Sequence, residues 1–432
     1  MVTVDVDSIL NKNVLVIGAG EAGGRIAQEF SFQGFNNVIA INTAKADLDG
    51  LQLSDGDKFL VPITKGSGAG KDPNVVRKSI DDFYDGVAKF IRSKVNEHTE
   101  QVLVCIGGGG GTGGGLGIVV SQIAAELGLN VGAIYTLPLM NESTLVFVNA
   151  LDNLKEIHQN AQQAAISPLI VVDNNKLVDE FAPTAANFWG PLNNAIVSVV
   201  RKFNEYSQKP SKYVSALDRQ DLKRLLSTGG VCAIGDFEVG EDFSEQGIDD
   251  TISQHFFMDG FDLKTASACG VIVVGSEKTL QTVDSAKAIT AIFNRASSYL
   301  DGGMFFRGVY NDESVKFLRV YVLFNGLALP SEHIDEMMRS VRKGYQKIKT
   351  QQNRLDDGIN VDFGAGVGGI FNSAGGSKKI ERKAAGAISS YSENEESSQI
   401  NITVGDDSPA PQTPKKVENN PIQIPGMKRR ER

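Results

Sequence analysis

A run of eight glycines and one threonine covers residues 107–115 and directly follows the apolar segment 102–106. A segment with helical apolar periodicity comes next. A strand, a glycine loop and a helix in this order present bare backbone N–H groups and a helix N-terminus to an anion. The alternative is that the glycines serve tight turns and close helix packing. Ordering so much glycine costs chain entropy that a bound ligand would offset, so the run favours a phosphate site.

Two other glycine-rich loops follow predicted strands. Residues 18–23 fit the dinucleotide fingerprint GxGxxG, but Asn42 stands where such a site carries an acid for the ribose. Residues 66–71 are not a Walker P-loop, because Asp72 rather than Ser or Thr follows Lys71. Three glycine loops on one rim can wrap a nucleoside triphosphate with backbone donors. The pattern therefore favours a triphosphate and does not support NAD.

The elements that must position these loops alternate along the chain. Short apolar strands are predicted at 14–17, 38–41, 59–61, 102–106, 131–135 and 169–172, with helices between them. Continuous apolar strands separated by helices are typical of a parallel sheet covered on both faces. Ligands of such sheets lie beyond the carboxyl ends of the strands, which is where the glycine loops fall.

The second half of the chain has a different pattern. A long apolar helix is predicted from about Pro191 to Tyr206, followed by strands at 230–234 and 270–274. Segments 304–310 and 316–323 are predicted to pair as a hairpin, and a closing helix begins at Ser331. These elements indicate an α+β domain.

Composition narrows the class of protein. A net charge of −9 and a pI near 5.2 argue against sequence-independent nucleic-acid binding, which needs a basic face. Three cysteines, far apart in apolar stretches, are expected to be buried thiols in a reducing compartment. The N-terminus lacks the features of a signal peptide, and no apolar run is long enough to span a membrane. We therefore expect a cytoplasmic protein.

Residues 109–115 read GGGTGGG, which resembles the signature GGGTGxG of the tubulin/FtsZ GTPase superfamily. The resemblance extends to about residue 350, and companion motifs occur in the family's order. They are the first phosphate loop at 18–25, the loop after the second strand at 42–43, the γ-phosphate-sensing loop at 66–73, the ribose-contacting loop at 138–142 and the guanine-reading loop at 173–177.

The resemblance implies an α/β fold, with a Rossmann-like GTPase domain built on a parallel sheet, a central helix and an α+β C-terminal activation domain. The corresponding segments are a GTP-binding domain at 1–183, a central helix linker at 184–209, an activation domain at 210–352 and a tail at 353–432. The tail is rich in Gly, Ser, Asn, Glu and Pro, so we expect it to be disordered and to end in a basic peptide.

The same motifs imply which residues contact GTP or GDP, with Mg²⁺ as cofactor and no protein ligand to the metal. The expected nucleotide-binding residues are Gly20, Glu21, Ala22, Gly23, Asn42, Gly68, Ala69, Gly70, Gly109, Gly110, Gly111, Thr112, Gly113, Gly114, Glu142 and Asn174. Phe188 and Trp189 both remain candidates for stacking on the guanine.

In the superfamily a loop after the central helix enters the nucleotide site of the neighbouring copy and supplies acidic residues. Residues 217–222 resemble this loop, which makes Asp218 and Asp221 the expected catalytic residues. Carboxylates near a γ-phosphate can orient or deprotonate the attacking water. Without the family, Asp218 is equally well explained as a helix N-cap.

The resemblance implies a GTPase that polymerises into filaments and is activated by assembly. Departures from FtsZ, such as Ala216 and the segment 143–145, resemble the TubZ group that segregates plasmid and phage DNA. A cell-division role like that of FtsZ is the second hypothesis, and an NAD-dependent oxidoreductase or a non-hydrolysing scaffold are further alternatives. An adaptor protein, a DNA-bound partition factor or a membrane tether, is expected to bind the basic residues Lys428, Arg429, Arg430 and Arg432.

Overall fold

The computed structural model describes residues 13–213, 215–240 and 243–358 of the chain. The basic terminal peptide and most of the predicted tail therefore lie outside the described residues. So do residues 1–12.

The first part of the chain alternates strands and helices. Its elements are β1 (Val14–Ala19), α1 (Gly20–Phe32), β2 (Val38–Asn42), α2 (Lys45–Asp49), β3 (Lys58–Leu60), α3 (Pro73–Lys78), α4 (Ile80–Lys94), β4 (Gln101–Gly107), α5 (Gly111–Glu126), β5 (Asn130–Leu137), α6 (Thr144–Gln162), β6 (Leu169–Asp173) and α7 (Asn174–Phe181). Strands β1 to β6 are parallel, in the order β3-β2-β1-β4-β5-β6. The predicted parallel α/β sheet is confirmed.

The rest of the described chain continues the same sheet. Its elements are α8 (Trp189–Tyr206), α9 (Arg219–Leu226), β7 (Val231–Val239), α10 (Glu245–Ser253), β8 (Ala268–Gly275), α11 (Glu277–Leu280), α12 (Val283–Ser298), β9 (Met304–Asn311), β10 (Leu318–Leu327) and α13 (Ser331–Gly358). The full order is β3-β2-β1-β4-β5-β6-β7-β10-β8-β9, and β6 pairs with β7 only at Leu169–Val231 and Ile170–Cys232.

The predicted hairpin between the last two strands is wrong. β9 pairs with β8 in parallel, and β10 pairs antiparallel with both β7 and β8, so β8 lies between the two strands. The turn at 311–314 is a local signal, and local signals do not reveal that a third strand is inserted. The order of the sheet was therefore not readable from this stretch.

Alternate residues of the strands bury themselves on opposite faces of the sheet. In β1, Leu15 and Ile17 join one core with α3 to α6, whereas Val14 and Val16 join a second core with α1 and α8. All six residues of β1 are buried, as expected for a strand covered on both faces. This two-sided cover leaves the strand ends as the places where loops can form a site.

Two helices connect the halves. The central helix α8 falls inside the predicted segment 184–209 and packs against α1, α7, β7 and β10. The closing helix α13 packs along α6 and extends to Gly358, beyond the predicted boundary at 352. Loss of aromatic residues after 352 changed the composition without ending the helix. The segment 353–358 is therefore helical, where the sequence suggested disorder.

Candidate functional site

The loops that follow β1 to β6 enclose a cavity of about 490 Å³ at the carboxyl-terminal edge of the sheet. This volume is in the range of small-molecule sites. The cavity lies where the strand order reverses, because β2 and β4 flank β1, and such switch points bind ligands in open α/β sheets. The expected residues on its wall are Glu21, Ala22, Gly68, Ala69, Gly70, Gly109, Gly110, Gly111, Thr112, Gly113, Glu142 and Asn174.

The start of α5 forms the anion-binding end of this cavity. Gly110 is the N-cap, with an extended backbone and no side chain over the helix end. The N–H groups of Gly111, Thr112 and Gly113 belong to the first turn and have no acceptor within the helix. Together with the positive end of the helix dipole, these donors are suited to phosphate oxygens.

Four expected residues lie behind the wall, namely Gly20, Gly23, Asn42 and Gly114. A Cβ at Gly23 would lie 2.0 Å from the carbonyl oxygen of Cys105, and one at Gly114 would lie 1.9 Å from Asn153 Nδ2. A Cβ at Gly20 would lie 2.7 Å from the backbone nitrogen of residue 113. These three glycines permit close packing under the site, the role that sequence analysis weighed as the alternative for glycine.

Asn42 shapes the loop after β2 from a buried position. Its Oδ1 accepts hydrogen bonds from the N–H groups of Thr43 (2.7 Å) and Ala44 (3.1 Å), and its Nδ2 donates to Asp47 (3.0 Å). The hydroxyl of Thr43 lies 2.6 Å from that of Thr112. Asn42 thereby fixes the loop after β2 beside the start of α5.

Two buried amides of α6 support the glycine run from behind. Asn149 Nδ2 donates to the carbonyl oxygens of Lys71 (2.7 Å) and Gly109 (3.4 Å). Asn153 Nδ2 donates to the carbonyl of Gly108 (3.0 Å). These hydrogen bonds fix the backbone of residue 71 and of the glycine run against α6.

Neither asparagine was among the residues expected from the sequence. The available signal is their spacing of four residues, which places both amides on one face of the helix, and this face is buried. A buried amide must find a partner, and exposed backbone carbonyls of a glycine loop are suitable partners. The pairing itself joins residues far apart in sequence and was not predictable.

Two pairs of oppositely charged side chains lie on the wall of the cavity. Lys71 Nζ lies 3.5 Å from Glu142 Oε2, and both residues are on the wall. Arg25 donates to Glu21 over 2.6 Å, and Arg25 was not among the expected contacts. Both pairs are largely exposed, so each contributes little to folding stability. They remain available to a charged ligand.

The wall of the cavity also includes Asn174, Trp189 and Asn193. Phe188 does not line the cavity and contacts Trp189 edge to face, with ring centroids 4.9 Å apart. Of the two aromatic residues left open by the sequence, Trp189 is therefore the one that lines the cavity.

A histidine from α13 contacts the loop that carries Asn174. His333 is buried, and its Nδ1 lies 2.7 Å from Asp173 Oδ2. Burial raises the pKa of Asp173, but the hydrogen bond and charge of His333 outweigh burial and hold this pKa below its ordinary value. Asp173 is thus an ionised N-cap of α7 whose side chain also accepts from the N–H of Asn175.

Asp218 and Asp221 lie at the opposite edge of the sheet from the cavity. Glu100, which directly precedes β4, forms ion pairs with Arg219 (2.6 Å) and Lys223 (3.2 Å) of α9. The glycine run follows the other end of the same strand. Because one strand separates the two places, the acids are not part of the cavity of their own chain.

Within the chain the two acids form a capping box at the start of α9. Asp218 accepts hydrogen bonds from the N–H groups of Gln220 (2.8 Å) and Asp221 (2.9 Å). The Asp221 side chain accepts from the N–H of Asp218 (3.4 Å). The N-cap role considered for Asp218 is present in the structure. Their catalytic role stays a prediction.

The fold and this cavity define a nucleotide-binding domain of the α/β class. Residues 13–181 match the model of the Tubulin/FtsZ family, GTPase domain. The matched segment is similar to the GTPase domain of that family, and it contains the glycine run and every residue of the cavity wall except Trp189 and Asn193. The predicted resemblance to this family, the predicted α/β fold and the predicted GTPase class are confirmed.

Relatives and solved structures agree with this assignment. The chain is 27% identical to the tubulin-like protein CetZ of Pyrococcus abyssi over 339 residues, covering 76% of this chain and 89% of CetZ. It is 25% identical to the cell division protein FtsZ of Porphyromonas gingivalis over 371 residues, covering 82% of this chain and 77% of FtsZ. The TubZ protofilament structure from Bacillus thuringiensis serovar israelensis superposes with a TM-score of 0.66 at 22% identity, covering 81% and 94% of the two chains.

None of the helices in the described part of the chain combines the length and the apolar character needed to cross a membrane. The three cysteines at 105, 232 and 269 are buried free thiols. Burial raises the pKa of each thiol above its ordinary value. Buried, protonated thiols are unreactive, in agreement with the expectation from their apolar surroundings.

Proposed function

We propose that this chain binds GTP in the cavity and assembles head to tail into cytoplasmic filaments, in which GTP is hydrolysed where two copies meet. The observation that carries this proposal is the position of Asp218 and Asp221 at the far edge of the sheet. β4 spans 101–107 at about 3.3 Å per residue, which separates the acids from the glycine run by roughly 20 Å. Carboxylates so far away cannot contact a phosphate held by their own chain.

A second copy resolves this separation. When the acidic edge of one copy meets the cavity of the next, Asp218 and Asp221 approach the γ-phosphate. The structures of TubZ from Bacillus thuringiensis and of CetZ2 from Haloferax volcanii are both described as protofilaments, which supports such an arrangement for this fold. Head-to-tail contacts of this kind build filaments because the interface does not close on itself.

The chemistry follows from the groups that meet at the contact. A carboxylate takes a proton from water while the water oxygen bonds to the γ-phosphorus and the bond from that phosphorus to the β,γ-bridging oxygen breaks. The products are GDP, which leaves with the bridging oxygen, and inorganic phosphate. The N–H groups at the start of α5 stabilise the charge on the transferred phosphoryl group.

The chain's donor set is compatible with a magnesium ion that arrives with the nucleotide. The described residues contain no cluster of three or more His, Cys, Asp or Glu placed to hold a metal. Mg²⁺ commonly takes most ligands from phosphates and water, and it would neutralise phosphate charge here. Thr112 supplies the side-chain oxygen of the glycine run, and its hydroxyl lies 2.6 Å from that of Thr43.

We assign the nucleoside end of the cavity to guanine. Asn174 supplies amide donor and acceptor groups, and the Trp189 ring offers a stacking face. Glu142 also lines the cavity, and its carboxylate can accept hydrogen bonds from ribose hydroxyls. The remaining expected residues orient the phosphates or permit the packing beneath them.

The biological role we propose is segregation of plasmid or phage DNA, on the basis of the departures from FtsZ at Ala216 and at 143–145. Cell division is the second candidate, supported by relatives named FtsZ. In either role the basic residues 428–432 bind an adaptor. Deleting 421–432 should leave sedimentation with GTP unchanged and abolish capture of the adaptor encoded beside the gene. Unchanged capture would contradict this role of the tail.

The central test is phosphate release measured against protein concentration. Release per chain should rise above a threshold concentration, because a complete site needs two copies. Mixing tests the shared site directly: Asp221→Asn lacks the acid and Gly110→Asp lacks phosphate binding, yet contacts between them contain one intact site. Recovered turnover in the mixture supports the proposal. Turnover proportional to concentration in the wild type, without a threshold, would falsify it.

A further inference from the structure

The closing helix α13 reaches the nucleotide site through one buried side chain. His333 is 6% exposed and sits in the first turn of α13, which is anchored by Ile334, Met337 and Val341. Its Nδ1 lies 2.7 Å from Asp173 Oδ2 and 3.2 Å from Asn175 Nδ2. These two residues flank Asn174, which lines the cavity.

The contact of His333 with Asp173 fixes the base-contacting loop. Asp173 caps α7, since its Oδ1 accepts from the N–H of Asn175 at 2.8 Å. Asn174 is the first residue of α7 and is itself buried. The imidazole therefore holds the cap that sets the position of Asn174.

Asn175 extends the same contact to a second loop. Its Oδ1 accepts a hydrogen bond from the N–H of Met140 at 3.0 Å, and Glu142 follows two residues later on the cavity wall. His333 thus acts on both loops of the nucleoside end through the two residues that it touches. The glycine run is held separately, by Asn149 and Asn153 of α6.

A second point of α13 lies against the end of the ribose-contacting loop. A Cβ on Gly344 would lie 2.6 Å from Thr144 Oγ1 and 2.9 Å from Thr144 Cγ2. Thr144 is the first residue of α6 and comes two residues after Glu142. The backbone of α13 is therefore seated directly on the segment that carries Glu142.

We propose that His333 is a positioning residue for the nucleoside half of the site, and that α13 thereby controls how long nucleotide stays bound. The inference rests on the proposed binding of GTP in the cavity. α13 leads into the C-terminal tail, so a load or a partner on the tail acts on nucleotide release through these two contacts. By linkage, bound nucleotide in turn fixes α13.

The experiment measures dissociation of a fluorescent GDP analogue from the full chain by stopped flow, chased with excess GDP. His333→Leu, which keeps a similar volume and removes the ring nitrogens, should raise the dissociation rate about tenfold. His333→Gln, which keeps an amide donor, should restore part of the difference. Lys343→Ala, at an exposed position of the same helix, should leave the rate unchanged.

The ratio of GTP to GDP affinity separates positioning from general loosening. Both nucleotides use the same nucleoside contacts, so His333→Leu should weaken them by equal factors and leave the ratio unchanged. Loosening of the phosphate-binding loops would change the ratio, and that result would overturn the proposal. An unchanged dissociation rate in His333→Leu would overturn it as well.

Gly344 provides an independent variant should His333→Leu fold poorly. Gly344→Ala places a methyl against Thr144 and should also speed dissociation, whereas Thr144→Ala/Gly344→Ala removes the clashing atoms and should return the rate toward that of the wild type. Equal rates in wild type and Gly344→Ala would overturn the proposal. A wild-type chain that binds no guanine nucleotide would instead refute the proposed function, so the two failures are distinguishable.

Discussion

The two edges of the sheet present different chemical groups. At the cavity edge the chain presents backbone N–H groups, and the glycines beneath them leave no room for a Cβ. At the other edge the chain presents two carboxylates, which cap a short helix at the surface. In the proposed mechanism the cavity edge supplies the donors for phosphate, and the acidic edge supplies the base. In that mechanism neither edge alone hydrolyses the nucleotide.

This difference implies that substitutions at the two edges impair different steps. The cavity edge should govern binding, and the acidic edge should govern turnover without affecting binding. Three predictions test this division, and a fourth tests the pairing of Asp173 with His333.

Asp221→Asn should produce the largest effect, a loss of turnover on the order of 100-fold or more, because a general base contributes about that much. Asparagine keeps an acceptor for the capping box, so folding and GTP affinity should be unchanged. Phosphate release in the assembled state, alongside equilibrium GTP binding, measures the two quantities. Gln220→Ala, at the exposed position next to it, is the control. Full turnover in Asp221→Asn would remove the acidic edge from the mechanism.

Gly110→Asp should have the second-largest effect, and this effect should be on GTP affinity rather than on turnover. A Cβ at this N-cap has room, its nearest neighbour being the Gly107 carbonyl oxygen at 3.8 Å, and aspartate is a favourable N-cap. Its carboxylate repels the triphosphate by roughly 4 kcal/mol at close range, so GTP affinity should fall at least about 100-fold. Gly110→Asn, of the same shape without charge, should bind much better. Equal affinities for the two variants, measured by calorimetry, would place the phosphates elsewhere.

Asn149→Leu should weaken nucleotide binding by about tenfold, because two carbonyls that orient the phosphate-binding loops lose a donor. Turnover per bound nucleotide should change less, since the acids are at the far edge. Titration with GTP and with GDP measures the effect. Lys155→Leu, at an exposed position of the same helix, is the matched control. Wild-type affinity in Asn149→Leu would mean that the loops orient themselves without α6.

The smallest effect concerns acid stability. The pKa of Asp173 in the folded chain is held below its ordinary value of 3.8, so its ionised form contributes stability above that pH. The contribution is lost as pH falls through the lower folded pKa, and the gap in free energy of unfolding between wild type and Asp173→Asn should then narrow. Urea unfolding at a series of pH values measures this gap. A gap that does not change with pH would contradict the pairing of Asp173 with His333.

The sequence predicted what depends on local order. Strand, glycine loop and helix follow one another within a few residues around 107–115, so the loop and its ligand class were readable. The supporting contacts were not, because Asn149 meets Gly109 and His333 meets Asp173 across long separations. Composition likewise did not distinguish glycines on the wall, such as Gly110, from those that permit packing, such as Gly23. The position of β8 between β9 and β10 could not be predicted for the same reason, because strand pairing joins residues that are far apart in the chain.

Strand β4 carries the glycine run at one end and follows Glu100, the anchor of α9, at the other. In the proposed filament β4 therefore determines a distance within each copy. Its length sets how far the acids of each copy project from the nucleotide of that copy, and hence the axial repeat at which successive copies can be stacked. A change in the number of residues in β4 would alter the geometry of the polymer before it altered the chemistry of the site.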